Sequence, residues 1–266
     1  MSSRLSAIFF ARRRGNAEEL PLGGRVIGIL AAFLLLALIF SFAFSRLKYG
    51  WDWGAVYNYR QKFITGWLVT LAISAASLVA SIVIGLSAAL TQRSAFLPLR
   101  YLGKIYIEII RGTPLLVQIL VFFYVVADSF GIANRYAIGI LTLALFAGAY
   151  LSEIIRAGIE SIGESQLESA RAIGLTRRQT YRFVVFPQVM RRILPPLAGQ
   201  FASLIKDSSL LSIIGVNEFT LNAQEVNAFT YSTLESYLPL AVGYLALTLP
   251  ISLLSRYLEE RYRYAS

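Results

Sequence analysis

Six long apolar runs, separated by polar stretches, pass through the 266-residue chain at 26–44, 64–90, 105–127, 137–155, 193–216 and 237–255. Each approaches or exceeds the roughly 20 residues that a helix needs to cross a bilayer, and only helices or closed barrels satisfy their backbone groups there. Barrel strands would show short alternating segments of about 10 residues, and the sequence has none. The pattern therefore predicts an all-α, polytopic membrane protein with six transmembrane helices. The first run follows a basic N-terminus, but its apolar length exceeds the roughly 7 to 15 residues of a signal-peptide core, so a retained anchor is expected.

Composition agrees, with 56% hydrophobic and 15% charged residues. Cysteine and histidine are both absent, which excludes a disulfide framework, a thiolate or imidazole metal site and a Cys or His nucleophilic centre. The net charge of +10 is topological rather than a nucleic-acid footprint. With six spans, eighteen of the 25 Lys and Arg fall on the side of the termini, including Arg12, Arg93, Arg100, Arg177 and Arg192, while five fall opposite. The positive-inside rule then makes both termini cytoplasmic. Trp51, Trp53, Tyr57 and Tyr59 suit an interfacial aromatic belt on the other side.

The stretch 160–187 is the one predicted cytoplasmic loop large enough to carry structure. Glu164 to Ile173 reads as a short helix starting near Ser161 or Gly163, with Gly174 as the residue past its end. A second helix is expected from Thr176, an N-cap type, with Pro187 ending or kinking it. Two uses fit such a segment. It could cap the bundle as an interfacial amphipathic helix, or its stripe of Leu167, Ala170, Ile173 and Leu175 could fill a groove on a soluble partner.

The spacing of Glu168, Ser169 and Ala170, then Gly174, then Val184, Phe186 and Pro187 resembles the EAA loop, E-A-A-x3-G-x9-I-x-L-P, of permease subunits in bacterial ABC importers. Ser169, Val184 and Phe186 depart from it conservatively. The stretches "IEIIRGTPLLVQILVFFY", "AYLSEIIRAGIESI" and "LIKDSSLLSIIGVNEFT" resemble the polar-amino-acid branch of that family. The resemblance runs from Phe63 to the C-terminus, dividing the chain into an extension at 1–62 and a permease domain at 63–266 with about five spans. It implies an inner-membrane subunit whose loop is a coupling helix, with Glu168, Ser169, Ala170, Gly174, Leu175 and Pro187 meeting a cytoplasmic ATPase. A second permease subunit, an extracytoplasmic solute-binding protein and a polar amino acid are the other implied partners. ATP and magnesium would belong to the ATPase, because this chain has no G-x4-G-K-[ST]; its Gly103-Lys104 pair is followed by Ile, and no enzyme activity of its own is expected.

Ionisable groups inside spans are functional candidates. Glu108 and Arg111 are i, i+3 neighbours before Gly112-Thr113-Pro114, and either pair to fix a kink or line the substrate path. Gln118, further along, is a second lumen candidate. Lys206, Asp207, Ser208 and Ser209 interrupt the fifth run, where a locally broken helix lining a cavity is the membrane-allowed arrangement. Lys206 and Asp207 either meet the carboxylate and ammonium of an amino acid or neutralise each other. The stretch 217–236 carries Glu218, Glu225 and Glu235 without Lys or Arg, as a solvated loop or a docking surface. The competing class is an ion-coupled secondary transporter or channel, which would call for internal repeats, and none is evident.

Overall fold

The structure, a computed structural model, describes residues 22–46 and 48–263, and every regular element among them is helical. The chain divides into two compact units, Met1–Trp51 and Asp52–Ser266. In the first, α1 (Leu22–Ser45) exposes Leu, Ile and Phe side chains around its whole circumference from Val26 onward. A helix that is apolar all round belongs in a membrane. The basic cluster Arg4, Arg12, Arg13 and Arg14 lies outside the described residues.

The second unit contains α2 (Trp53–Asn58), α3 (Arg60–Gln92), α4 (Leu97–Gly112), α5 (Leu115–Val121) and a π-helical stretch at Phe122–Ala127. It continues with α6 (Arg135–Glu160), α7 (Glu164–Ala172), α8 (Arg177–Thr180), a second π-helical stretch at Tyr181–Val185, and α9 (Phe186–Asp207). A 3₁₀-helix at Ser208–Ile214, α10 (Phe219–Thr230) and α11 (Thr233–Arg263) complete it.

The centre is the close pair α3 and α6. Along one face α3 buries the small residues Thr70, Ser74, Ser77, Ser81, Gly85 and Ala88, spaced three or four apart, with Ile73 beside them. Small side chains let two backbones approach, which matters in lipid because no aqueous hydrophobic drive holds helices together. At Gly85 the approach is closest: a Cβ there would lie 2.8 Å from Leu151 Cβ and 2.9 Å from the Gly148 carbonyl. The opposite face of α3 presents Val79, Val83, Leu86 and Leu90 outward. Ile73, Leu115, Ile119, Leu143, Leu204, Leu211 and Val216 form one core that joins α3, α5, α6, α9 and the 3₁₀-helix.

Among the described residues four helices are long and apolar enough to cross a membrane, at Val26–Ser45, Arg60–Gln92, Arg135–Glu160 and Thr233–Tyr262; a bent pair makes five. The expected fifth run, 193–216, is mostly helical but does not meet that measure, since α9 carries Arg191, Arg192, Lys206 and Asp207. The expected third run is not one straight helix. Its helix begins at Leu97, stops at Gly112 and turns by 110° into α5. Pro114 pushes Thr113 out of the helical region to φ −120°, ψ 147°, and that dihedral makes the elbow.

The stretch 217–236 is neither a solvated loop nor a free acidic surface. Most of it is α10, and Glu218 and Glu235 are fully buried. Glu218 caps α10 by accepting from the Thr220 and Leu221 amides at 2.9 and 2.8 Å, and also accepts from Tyr244 Oη at 2.9 Å. Thr70 Oγ1 of α3, 3.4 Å from that carboxylate, accepts the Phe219 amide. Glu235 accepts the Asp52 amide, and Glu225 is salt-bridged to Lys62. Glu218 therefore ties the start of α10 to α3 and α11, Glu225 ties α10 to the start of α3, and Glu235 ties the start of α11 to the segment before α2.

Candidate functional site

α7 hangs beyond the end of α6 and is held by few side chains. Ala170 is buried, and Leu167 packs on Ile162, Val185, Val189 and Ile193. The other face, with Glu168, Ser169, Arg171, Ala172 and Ile173, is exposed. This divides the expected apolar stripe: Leu167, Ala170 and Leu175 turn toward the bundle, while Ile173, 76% exposed, points away from it. Glu168 makes no ion pair among the described residues.

The helix ends in a left-handed turn. Gly174 has φ +78°, its amide donates to the Arg171 carbonyl at 2.9 Å, and the Leu175 amide donates to the Ala170 carbonyl at 3.0 Å. These are the two bonds of a Schellman cap, which satisfies carbonyls that the helix end would otherwise strand. The chain restarts at once. Thr176 and Gln179 form a reciprocal capping box at the start of α8. Two local cap devices, back to back, thus set the angle between α7 and the next helix. Pro187 does not end that helix, which runs without interruption from Arg177 to Asp207. Pro187 lacks the amide that would return to Phe183, and the π-helical turn at Tyr181–Val185 directly before it absorbs the change in the hydrogen-bond ladder.

At the elbow the structure replaces one expected pair by another. Arg111 does not pair with Glu108. Its guanidinium lies 3.4 Å from Glu153 of α6 and 5.3 Å from the centre of the Tyr150 ring. Glu153 is the hub of a small network. It accepts from Arg156 Nε at 3.1 Å and Nη2 at 2.8 Å, and from Gln92 Nε2 at 3.4 Å, while Arg156 Nη1 reaches Glu160 at 2.6 Å. Glu108 and Arg111 lie on one exposed face of α4, and Glu153 packs closer because α6 presents it directly toward the end of α4.

Gln118, a lumen candidate by sequence, lies inside the fold of this chain. It is buried, and its amide nitrogen donates to the Ile110 carbonyl at 2.7 Å, the Thr113 carbonyl at 3.1 Å and Thr113 Oγ1 at 2.8 Å. Those carbonyls lost their helical partners when Thr113 and Pro114 broke the ladder. Gln118 replaces those partners and closes the elbow.

At the 206–209 stretch the helix tightens rather than breaks, passing from α-helix at Asp207 to 3₁₀-helix at Ser208. Ser208 Oγ and Ser209 Oγ donate to the carbonyls three residues back, Ile205 at 2.8 Å and Lys206 at 2.6 Å, so both hydroxyl protons are occupied locally. Lys206 is exposed, Asp207 half-buried, and the two make no ion pair with each other. The 3₁₀-helix ends at Gly215, φ +74°, whose carbonyl accepts from Arg135 at 2.8 Å. No hydrogen bond or ion pair among the described residues joins this stretch to Glu108, Arg111 or Gln118, although α5 packs against the 3₁₀-helix.

Sequence reasoning missed Glu153, and it placed Glu218 on a solvated loop or docking surface rather than at a buried cap. Both were visible as carboxylates at the edge of, or within, apolar runs, Glu153 three residues before an arginine on the same helix face. No group of three or more acidic residues capable of holding a metal occurs among the described residues.

Comparison with known proteins gives this arrangement a context. Residues 81–264 match the family model described as "Binding-protein-dependent transport system inner membrane component". The chain is 36% identical over 212 residues to the glutamine transport system permease protein GlnP of Escherichia coli (strain K12), covering 79% of this chain and 97% of that one. It is 36% identical over 193 residues to the L-cystine transport system permease protein TcyB of Bacillus subtilis (strain 168), covering 72% and 82%. A crystal structure of an amino acid ABC transporter with histidines superposes with a TM-score of 0.74 at 35% identity, covering 80% of this chain and all of the other. An inward-facing MetNI methionine ABC transporter shares the fold at a TM-score of 0.64 and 17% identity, covering 76% and 97%.

Proposed function

Because this chain belongs to the family of binding-protein-dependent transport system inner membrane components, as a permease of a polar amino-acid ABC importer, we propose that it couples amino-acid passage to a separate cytoplasmic ATPase through α7. The observation that carries this reading is the exposed face of Glu168, Arg171 and Ile173, held at a set angle by the Schellman turn at Gly174 and the capping box at Thr176. Docking by an amphipathic helix needs an outward face that this chain itself leaves exposed and a defined angle to the next helix, and α7 offers the exposed face and the two caps. Ser169, Ala170, Leu175 and Pro187 act behind that face as its supports.

In this reading residues 63–266 form the permease domain, 1–62 precede it, and both termini are cytoplasmic. Two permease subunits, identical or similar, enclose the path. A solute-binding protein delivers a polar amino acid on the far side, and ATP and magnesium stay with the ATPase. The relatives named for glutamine and cystine support a polar amino acid as cargo. Within the path, Lys206 and Asp207 are the groups free to meet an amino acid's carboxylate and ammonium, since neither is paired with the other. Ser208, Ser209 and Gln118 shape the backbone around that path, and Arg111 and Glu108 lie on its charged flank.

The test is reconstitution in vesicles. ATP-dependent uptake that requires the ATPase and the binding protein is expected; uptake by this chain alone, driven by a proton or sodium gradient, would instead make it an ion-coupled transporter.

A further inference from the structure

Between the end of α3, the first turns of α4 and the last turns of α6 lies a cleft of about 640 Å³. Arg93, Arg100 and Lys104 line it, and none of the three has a carboxylate partner among the described residues. Arg100 Nε donates to the Gln92 carbonyl at 3.0 Å, leaving the other guanidinium N–H groups open, and Lys104 lies over the Tyr101 ring at 5.9 Å. The carboxylates Glu153 and Glu160 of the same cleft are already held by Arg111 and Arg156, so Glu108 is the one acid left to offset three cations.

The depth of these cations follows from how α4 packs. Gly103 sits against Thr91, where a Cβ would collide with the threonine hydroxyl, and Ile107 shares a cluster with Ala88. α4 therefore climbs back along α3, and Arg93 and Arg100 mark the level where the apolar α3 stops. For an α3 that spans the bilayer, that level falls at the membrane interface. Beside the cleft, Phe96, Leu97, Tyr101 and Leu102 are each more than half exposed. Unpaired cations at the interface, flanked by apolar side chains, match the two halves of a lipid molecule.

We propose that this cleft binds the phosphodiester of an anionic phospholipid, with Arg93, Arg100 and Lys104 on the phosphate and the acyl chains along Phe96, Leu97 and Leu102. A second copy of the chain is a poorer occupant, because a two-fold contact through this face would set the same cations against each other. Free phosphate would leave the apolar flank uncovered.

The full chain, purified in mild detergent, is titrated with dioleoyl phosphatidylglycerol, dioleoyl phosphatidylcholine or inorganic phosphate, following bound lipid by native mass spectrometry and the thermal midpoint. Phosphatidylglycerol alone is expected to bind and to raise the midpoint. Replacing Arg93, Arg100 or Lys104 singly with Gln should weaken its binding about fivefold each. Arg93→Lys and Arg100→Lys should keep most of it, and Arg261→Gln, outside the cleft, should keep all. Equal binding of phosphatidylcholine, equal stabilisation by phosphate, unchanged affinity in the Gln variants, or a change in oligomeric state in place of lipid affinity would each overturn the assignment. All three side chains are exposed, so the single variants should fold; retention of lipid by the Lys variants separates loss of charge from loss of structure.

Discussion

Gly174 offers the sharpest test of the proposed coupling role of α7, because its surroundings reduce the perturbation to one variable. A Cβ added there would meet nothing within 4 Å, so substitution introduces no clash with neighbours. What remains is the backbone at φ +78°. An L-residue with a Cβ pays about 1–2 kcal/mol to hold that region, and a β-branched one more. If the turn relaxes instead, it loses the two cap bonds to Arg171 and Ala170, each worth about 0.5–1.5 kcal/mol. Either way α7 leaves its set angle in a large fraction of molecules, about 5- to 30-fold more often for Ala than for Gly. Asn tolerates the left-handed region and should behave nearly as Gly. The expected order of ATP-driven uptake in vesicles is therefore Gly, Asn, Ala, Val, with membrane insertion equal throughout. The assay pairs uptake with co-purification of the ATPase, and both should fall together along the series. Uptake by Gly174→Val equal to the parent, or Asn as damaging as Val, would refute the argument from backbone angle.

Three further outcomes are expected. Gln118→Met should lower thermal stability by about 1–3 kcal/mol, because the Ile110 and Thr113 carbonyls lose their donor while the side-chain volume is nearly kept; an unchanged melting midpoint would show that the elbow holds without it. Glu153→Ala should reduce stability more than Glu108→Ala, since only the former strands Arg111 and leaves Arg156 with Glu160 alone, though partial exposure limits the effect to about 1 kcal/mol; equal midpoints for the two variants would contradict the network. Lys206→Met should weaken apparent substrate affinity by about 10-fold or more in concentration-dependent uptake with the thermal midpoint preserved, whereas a stability loss that accounts for all lost transport would remove Lys206 from the path.

Where partners stand a few residues apart, the sequence was enough. The apolar runs mark the helices because burial in lipid is a property of a stretch, and the pair Gly174 and Thr176 marks the turn because each cap bond closes within three to five residues. The same locality explains why the all-α membrane class and the helix–turn–helix of 164–187 are legible in the sequence alone. It did not extend to Glu108 and Arg111. Their i, i+3 spacing permits a pair, yet Arg111 reaches Glu153, 42 residues away, because α6 packs beside the end of α4. Gln118 reads as a lumen candidate in the sequence, and only the 110° elbow brings the Ile110 carbonyl within its reach. The sequence places Glu218 and Glu235 on a solvated loop or a docking surface, but α10 and α11 fold over them, and Thr70, 148 residues from Glu218, supplies a partner. A charge in an apolar chain must find a counterpart or water. The need for one is written in the sequence, but which group answers it depends on which helices pack side by side, and that choice belongs to the tertiary structure.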